Sequence, residues 1–339
     1  MQSTRGTSRR SLGRVLVDAS RSRFLERQTS AVRERVVDLV DEVAPRLDAW
    51  ARRYPLVRRE RIGPLTLSVA AASPFSSPEA VESTARVSLW VFTLDDVMDE
   101  ELLPVEENEA FIARSLAIIG GDNVPHLEGS LTQALADVRD DLRRYDLFPQ
   151  FGFIWADALR GTIREMEREN VWRDAYRSQG KSALPSFEDY VACGRYSIGG
   201  PPHIWAEVLT IGDPSACDAV DGLMRMEEAA SICIRLANDL RSESKEAREG
   251  TINSLVIAAR DLEAAGVDAA DVPSLARARV MARIAAGIQA LGAMQLRSIT
   301  SSGYPEAAIA DIARFVCEFY QEFDYHTFST PVEGRRSGV

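Results

Sequence analysis

Cysteine and histidine are scarce in this 339-residue chain. The four Cys (Cys193, Cys217, Cys233, Cys317) never fall into CxxC spacing, and the three His (His126, His203, His326) stand apart from them. That argues against a zinc finger, a disulfide framework and a His-rich metal site. No apolar run approaches the roughly 18 to 20 residues of a membrane span, so no stable membrane insertion is expected. The first 30 residues are Arg- and Ser-rich but contain acids and lack a sustained apolar stretch or an obvious cleavage site, unlike a targeting peptide. Strand-like alternation, a GxGxxG or P-loop signature and a fixed-period repeat are missing as well. Basic charge is in deficit, 40 Lys plus Arg against 51 Asp plus Glu, for a net charge of −11. A chain so acidic is not built mainly to hold nucleic acid or an anionic membrane.

The charge is uneven. Residues 1–61 hold 15 Arg and 8 acids, net +7, which leaves net −18 on residues 62–339. The expectation is a cytoplasmic protein with a basic, flexible arm over 1–30, a folded body over 31–328 and a disordered tail over 329–339. Within the body, apolar residues recur at helical spacing. Val32, Val36, Val40, Val43 and Leu47 step by three or four along residues 28–50, as on an amphipathic helix. Pro78 and Glu79 open a second helix, apolar on most sides through Leu89, Trp90, Val91, Phe92 and Leu94 and hence buried. Further helices are predicted at 107–119, 128–145, 148–170, 187–199, 202–211, 214–247, 250–264, 273–302 and 304–326, punctuated by Pro104, Gly120, Pro149, Gly212, Pro273 and Gly303. The predicted fold class is all-α, a single large bundle.

Two polar constellations interrupt these apolar helices. The first is Leu94-Asp95-Asp96-Val97-Met98-Asp99-Glu100-Glu101. Asp95 and Asp99, four apart, project from one helical face within reach of a shared cation, and carboxylates so crowded destabilise a helix unless a cation relieves them. The second is Asn238-Asp239-Leu240-Arg241-Ser242-Glu243-Ser244-Lys245-Glu246, in which Asn238, Ser242 and Glu246 repeat every four residues. An amide, a hydroxyl and a carboxylate form an oxygen set of modest charge, suited to a hard cation that keeps waters and takes phosphate oxygens; magnesium fits. A solvated acidic helix end and a polar stripe are the bland alternatives. Both runs, however, directly continue buried-looking helices, SLWVFTL and ASICIRLA.

These residues resemble a known family, the class I terpene synthases, in particular the single-domain bacterial terpene cyclases. LDDVMDEE resembles that family's aspartate-rich motif, and NDLRSESKE matches its second metal motif, including Lys245 before the final Glu246. Between them, PSFEDYVACGRYSIGG resembles the segment that carries the diphosphate-sensing arginine. The resemblance spans roughly residues 60–325. It implies an α-helical bundle around a deep apolar cavity, with Mg²⁺, three ions, as cofactor. The implied metal ligands are Asn238, Ser242 and Glu246 together with the first motif; which of Asp95, Asp96 and Asp99 touches metal is not legible in sequence, and Asp95 comes first by the family pattern. Arg195 is implied as the sensor, Ile198 as the linker and Gly199 as the effector. Lys245 and Arg314 are implied as diphosphate-binding cations, although Phe315 follows Arg314 where the family has Tyr, so the missing hydroxyl is absent or comes from Tyr320 or Tyr325.

The implied reaction is ionisation of a linear prenyl diphosphate and cyclisation of the carbocation, with diphosphate released. The implied partner is that small-molecule substrate, not nucleic acid, and a homodimer is allowed. An apolar, mildly electron-rich wall stabilises the cation without quenching it. Phe75, Phe92, Phe153, Trp155, Trp205 and Phe319 are candidates for that wall, with Phe92, one turn before Asp95, and Trp205, near the Arg195 segment, ahead of the rest. His203 reads as a structural histidine, the released diphosphate being the better terminal base, and Cys193 and Cys233 as small packed hydrophobes. An Ile at the linker resembles bacterial diterpene cyclases, which points to geranylgeranyl diphosphate. Alternatives are farnesyl diphosphate, a bicyclic diphosphate supplied by another enzyme (no DxDD motif is present here), chain elongation by a prenyl diphosphate synthase, and a non-catalytic helical binding protein.

Overall fold

A computed structural model describes residues 22–99, 103–125 and 127–325, and within them every regular element is helical. In chain order the α-helices are α1 (Arg23–Glu26), α2 (Ser30–Ala51), α3 (Ile62–Ala72), α4 (Pro78–Asp99), α5 (Val105–Ile119), α6 (Leu131–Leu142), α7 (Phe148–Gln179), α8 (Phe187–Ser197), α9 (Gly200–Ile211), α10 (Val220–Glu249), α11 (Ser254–Ala264), α12 (Val272–Gln295) and α13 (Tyr304–Glu322). Local chemistry sets their limits. The hydroxyls of Thr29, Ser130 and Ser186 accept the backbone N–H groups of Val32, Gln133 and Asp189, capping α2, α6 and α8. Pro78 and Pro305 sit at the starts of α4 and α13, where a missing N–H costs nothing.

Several element boundaries depart from the sequence reading, two of them near the termini of the packed body or of a helix. Residues 214–218 form a separate 3₁₀ turn before α10, because Asp213 caps Ser215 and Pro214 opens a tight turn. The end of the expected arm is packed: Phe24 and Leu25 are buried, and the Phe24 ring stands edge-on to Phe315 at 5.7 Å. Residues 22–30 are therefore not part of a free arm. Residues 1–21 of that arm, the 329–339 tail, Glu100, Glu101, His126 and His326 lie outside the described residues.

The helices that matter for function enclose a cavity. The break-containing pair α8/α9 packs on α4 and α7 on one side, and α10 is flanked by α12 and α13 on the other. Trp90 on α4 is buried and donates its indole N–H to the Leu131 carbonyl at 2.9 Å, tying α4 to α6. A side chain of this class contributes about 1.5–3 kcal/mol when withdrawn from water. Arg61 fixes α4 a second time through a bidentate pair with Asp96 at 2.7 and 2.8 Å, both residues fully inside. Thus α4 and α10 are each held rigidly from behind, with their polar ends facing one another across open space.

Candidate active site

The cavity between them has a polar mouth of about 140 Å³ and an apolar inner end of about 60 Å³, joined through Val91, Phe92, Ile198 and Tyr320. Asp95 and Asp99 of α4 line one wall of the mouth, and Asn238, Ser242, Lys245 and Glu246 of α10 line the other. Burial, and then the neighbouring Asp99, hold the Asp95 carboxyl well above the usual carboxylate range. Burial, reinforced by Asp239, likewise pushes Glu246 up to about 7. Arg173 of α7 stands 3.5 Å from Asp99.

Among the described residues no three His, Cys, Asp or Glu side chains converge on a single point. The donors instead form two banks, carboxylates on one side and an amide, a hydroxyl and a carboxylate on the other. Crowded carboxylates in a partly dry site are relieved by divalent cations, and hard cations can complete their shells with water and phosphate oxygens in the gap. The residues present therefore fit Mg²⁺, which Asp95 and Asp99 on one side and Asn238, Ser242 and Glu246 on the other would hold together with water and ligand oxygens.

Asp96, expected among the metal ligands, is not part of this wall. Both its oxygens are occupied by Arg61, with the Arg58 guanidinium 3.3 Å away, on a different face of α4. A helical residue next to Asp95 points about 100° away from it, which sends Asp96 into the bundle. Arg195 also differs from expectation. Its guanidinium bonds Glu227 at 2.5 Å and stacks on Tyr196, and it does not line the cavity. Ile198 lines both ends of the cavity, and Gly199 lines the inner end at the break between α8 and α9.

The break itself is a backbone requirement. Gly199 has φ of +75°, and a Cβ there would lie 2.3 Å from Val91 Cγ1. Only glycine supplies both the left-handed conformation and the close approach of α9 to α4.

Arg314 is turned away as well, pairing with Asp311 at 2.7 Å outside the cavity. Tyr320 instead lines the cavity, as does Asn238, while Tyr325 bonds the Ser68 hydroxyl at 2.5 Å in the inner end. Of the six candidate aromatics, Phe92 lines both ends of the cavity. Phe75 and Phe153 are exposed at 70% and 69%. Trp155 and Trp205 are buried in the core, the latter stacked on Phe151, and Phe319 stacks on Tyr325 without lining the cavity. Trp205 follows the break by six residues, and on α9 that offset carries its ring to the back of the helix.

Besides Arg173, three groups were not foreseen. Arg235, one turn before Asn238, lines the mouth and is bound by Glu169 at 3.2 Å, Asp239 at 3.0 Å and the Tyr190 hydroxyl. It occupies space that a side chain at Gly194 would fill, since a Cβ there would meet Arg235 Cγ at 2.8 Å. Asn253 donates to Glu246 at 2.6 Å and caps α11 through Leu255 N–H. Glu169 is carried to the site by α7. For Arg235 the signal was in view: it is the one charge in the apolar run ASICIRLA.

A helical bundle with two facing oxygen-ligand banks above an apolar pocket defines the class I terpenoid synthase type of protein. The model of terpene synthase family 2, C-terminal metal binding, matches residues 86–284, and the chain belongs to that family. It is 30% identical over 203 residues to isoafricanol synthase of Streptomyces malaysiensis, covering 56% of this chain and 51% of that protein. The chain thus spans about half the length of this curated relative in the match. Linalool/nerolidol synthase from Streptomyces clavuligerus, in complex with 2-fluorogeranyl diphosphate, superposes with a TM-score of 0.65 at 16% identity, covering 83% of this chain and 97% of that one. 2-Methylisoborneol synthase from Streptomyces coelicolor, in complex with Mg²⁺ and geranyl-S-thiolodiphosphate, superposes with a TM-score of 0.66 at 14% identity, over 84% and 92%. At such identities these two structures establish the all-α terpenoid synthase fold. None of the described helices is long and apolar enough to cross a membrane.

Proposed function

We propose that this chain is a Mg²⁺-dependent terpene cyclase that ionises a linear prenyl diphosphate and closes the resulting carbocation into rings. The observation that carries the reading is the pair of facing banks, Asp95/Asp99 and Asn238/Ser242/Glu246, at the mouth of one apolar cavity. Bound Mg²⁺ would supply Lewis acidity to the departing diphosphate oxygens. Lys245, Arg173 and Arg235 add positive charge around the same space, favouring the leaving group as its charge develops. Phe92 and Ile198 form the apolar shoulder between mouth and inner end, where the cation begins its path.

The linker Ile198 supports geranylgeranyl diphosphate as the substrate. Farnesyl diphosphate is the second reading, favoured by the small inner end of about 60 Å³, which a shorter chain would have to open less. The deciding experiment incubates the protein with C10, C15, C20 and C25 prenyl diphosphates, with and without Mg²⁺, and analyses extracts by mass spectrometry. Cyclic products from one chain length, only with Mg²⁺, are expected. Absence of turnover on all four would sink the reading, and longer diphosphates as products would make the protein an elongase.

A further inference from the structure

The inner end of the cavity measures about 60 Å³, whereas pockets that enclose small organic ligands run to roughly 300–1,000 Å³. What fills the inner end therefore decides how far a hydrocarbon chain can reach. Three Phe or Tyr rings line it, Phe92, Tyr320 and Tyr325. Phe92 and Tyr320 also line the mouth, so they stand at the junction beside the oxygen banks. Tyr325 lines the inner end alone, which makes it the ring at the far side of the cavity from those banks.

The sequence after α13 accounts for its placement. The helix stops at Glu322, and Phe323 takes extended backbone angles, φ −125° and ψ 173°. The chain then turns back, so that the Tyr325 ring stacks on Phe319 at 4.5 Å between centroids and stands edge-on to Tyr320 at 5.6 Å. On α4 it meets Phe92, tilted at 5.2 Å. The residue is 3% exposed, and its hydroxyl lies 2.5 Å from Ser68 Oγ on α3. Ser68 donates to the Pro64 carbonyl at 2.9 Å and so accepts the phenol proton. Burial raises the Tyr325 pKa above its usual value, which keeps the phenol neutral and that proton in place. A ring that does not belong to any helix is thus oriented by contacts with three of them, α3, α4 and α13.

We propose that Tyr325 is the chain-length determinant of this site, its ring occupying the space that the tail of a longer prenyl chain would need. The proposal rests on the cyclase reading above. With the diphosphate held between the oxygen banks at the mouth, the hydrocarbon runs toward the inner end, and its last isoprene unit meets the residue farthest from the banks. A phenol has nearly the bulk of one isoprene unit, so shortening the side chain exchanges one for the other. An apolar pocket discriminates between chains mainly by such differences in filled volume. The hydrogen bond to Ser68 orients the ring, and the bulk of the ring sets the limit.

The test uses the full-length protein with Mg²⁺ and measures kcat/KM on C10, C15, C20 and C25 prenyl diphosphates. The quantity read is the ratio of kcat/KM for the diphosphate one isoprene unit longer than the wild-type substrate to that for the wild-type substrate itself. Tyr325→Ala should raise this ratio by about tenfold or more, whereas Tyr325→Phe, which keeps the bulk, should leave it within about twofold. Both substrates are read on the same preparation, so a loss of stability or of active fraction cancels, and a purely structural role would not move the ratio. An unchanged or lowered ratio in Tyr325→Ala overturns the proposal, as does a shift in Tyr325→Phe as large as that in Tyr325→Ala. Tyr325→Leu, which removes the ring and keeps an apolar side chain, decides in the same way if Tyr325→Ala does not fold. Wild-type protein inert toward all four diphosphates overturns the cyclase reading itself, an outcome distinct from an active variant with unaltered chain-length preference.

Discussion

Adjacent carboxylates on α4 have opposite tasks, and single substitutions should separate them. Asp95 faces the cavity, raised by burial and by Asp99, so it costs the folded chain stability. Asp95→Ala is expected to leave the melting temperature unchanged or higher while lowering Mg²⁺-dependent turnover at least about a hundredfold. Asn238→Ala should lower turnover comparably with the helical circular dichroism intact. Asp96→Ala does the reverse. It removes the carboxylate partner of the buried Arg61 guanidinium, a loss of about 3–5 kcal/mol by analogy with other broken buried pairs, measurable by urea denaturation. If Asp96→Ala were as stable as wild type, the structural role assigned to that carboxylate would be wrong. At this scale the sequence was only partly legible. The four-residue spacing of Asp95 with Asp99, and of Asn238 with Ser242 and Glu246, converts directly into a shared helical face. Which neighbour points inward is settled by what lies behind the helix, and Arg61 is 35 positions away from Asp96 in the chain. The same holds for Arg195 and Arg314, whose partners Glu227 and Asp311 draw them off the cavity.

Helices were legible where one face is polar and obscure where none is. All eleven residues of α3 are buried, so Ile62–Ala72 shows no periodicity, and its Gly, Pro, Thr and Ser lower its intrinsic helix preference. It forms because α2, α4 and α13 enclose it. The end of α12 at Gln295, rather than near residue 302, reflects the turn that follows, where Ser298 takes a positive φ. The element most exposed to a test is the α8/α9 break. Gly199→Ala puts a β-carbon in the left-handed region and onto Val91, a cost of about 1–3 kcal/mol from the backbone alone. Since Val91 lines both ends of the cavity, the variant is expected to change product composition as well as lower the urea midpoint. An unchanged midpoint would show that the break tolerates a side chain and is not set by this glycine.

The net charge of −11 looks at first unsuited to the diphosphate substrate proposed above, and the arrangement of the whole molecule offers a resolution. The acidic donors lie in two banks on α4 and α10, which are braced separately and do not pack extensively against each other. On the proposed function, cations held by one bank alone would leave the gap open, whereas cations together with a diphosphate would span it, so metal and anion would each raise the affinity for the other. A ligand that binds only the folded chain stabilises it by RT ln(1 + [L]/Kd), about 2.7 kcal/mol at a hundredfold excess over Kd. Mg²⁺ together with inorganic diphosphate should therefore raise the melting temperature by several degrees, whereas either alone should give a clearly smaller shift. Asp95→Ala and Glu246→Ala should each abolish the joint effect, because each removes a ligand from one bank. Differential scanning fluorimetry over the four ligand combinations gives the answer without any turnover. A full shift with Mg²⁺ alone would mean that the protein closes its own metal cage. A full shift with diphosphate alone would assign recognition of the anion to Arg173, Arg235 and Lys245 instead of to bridging ions.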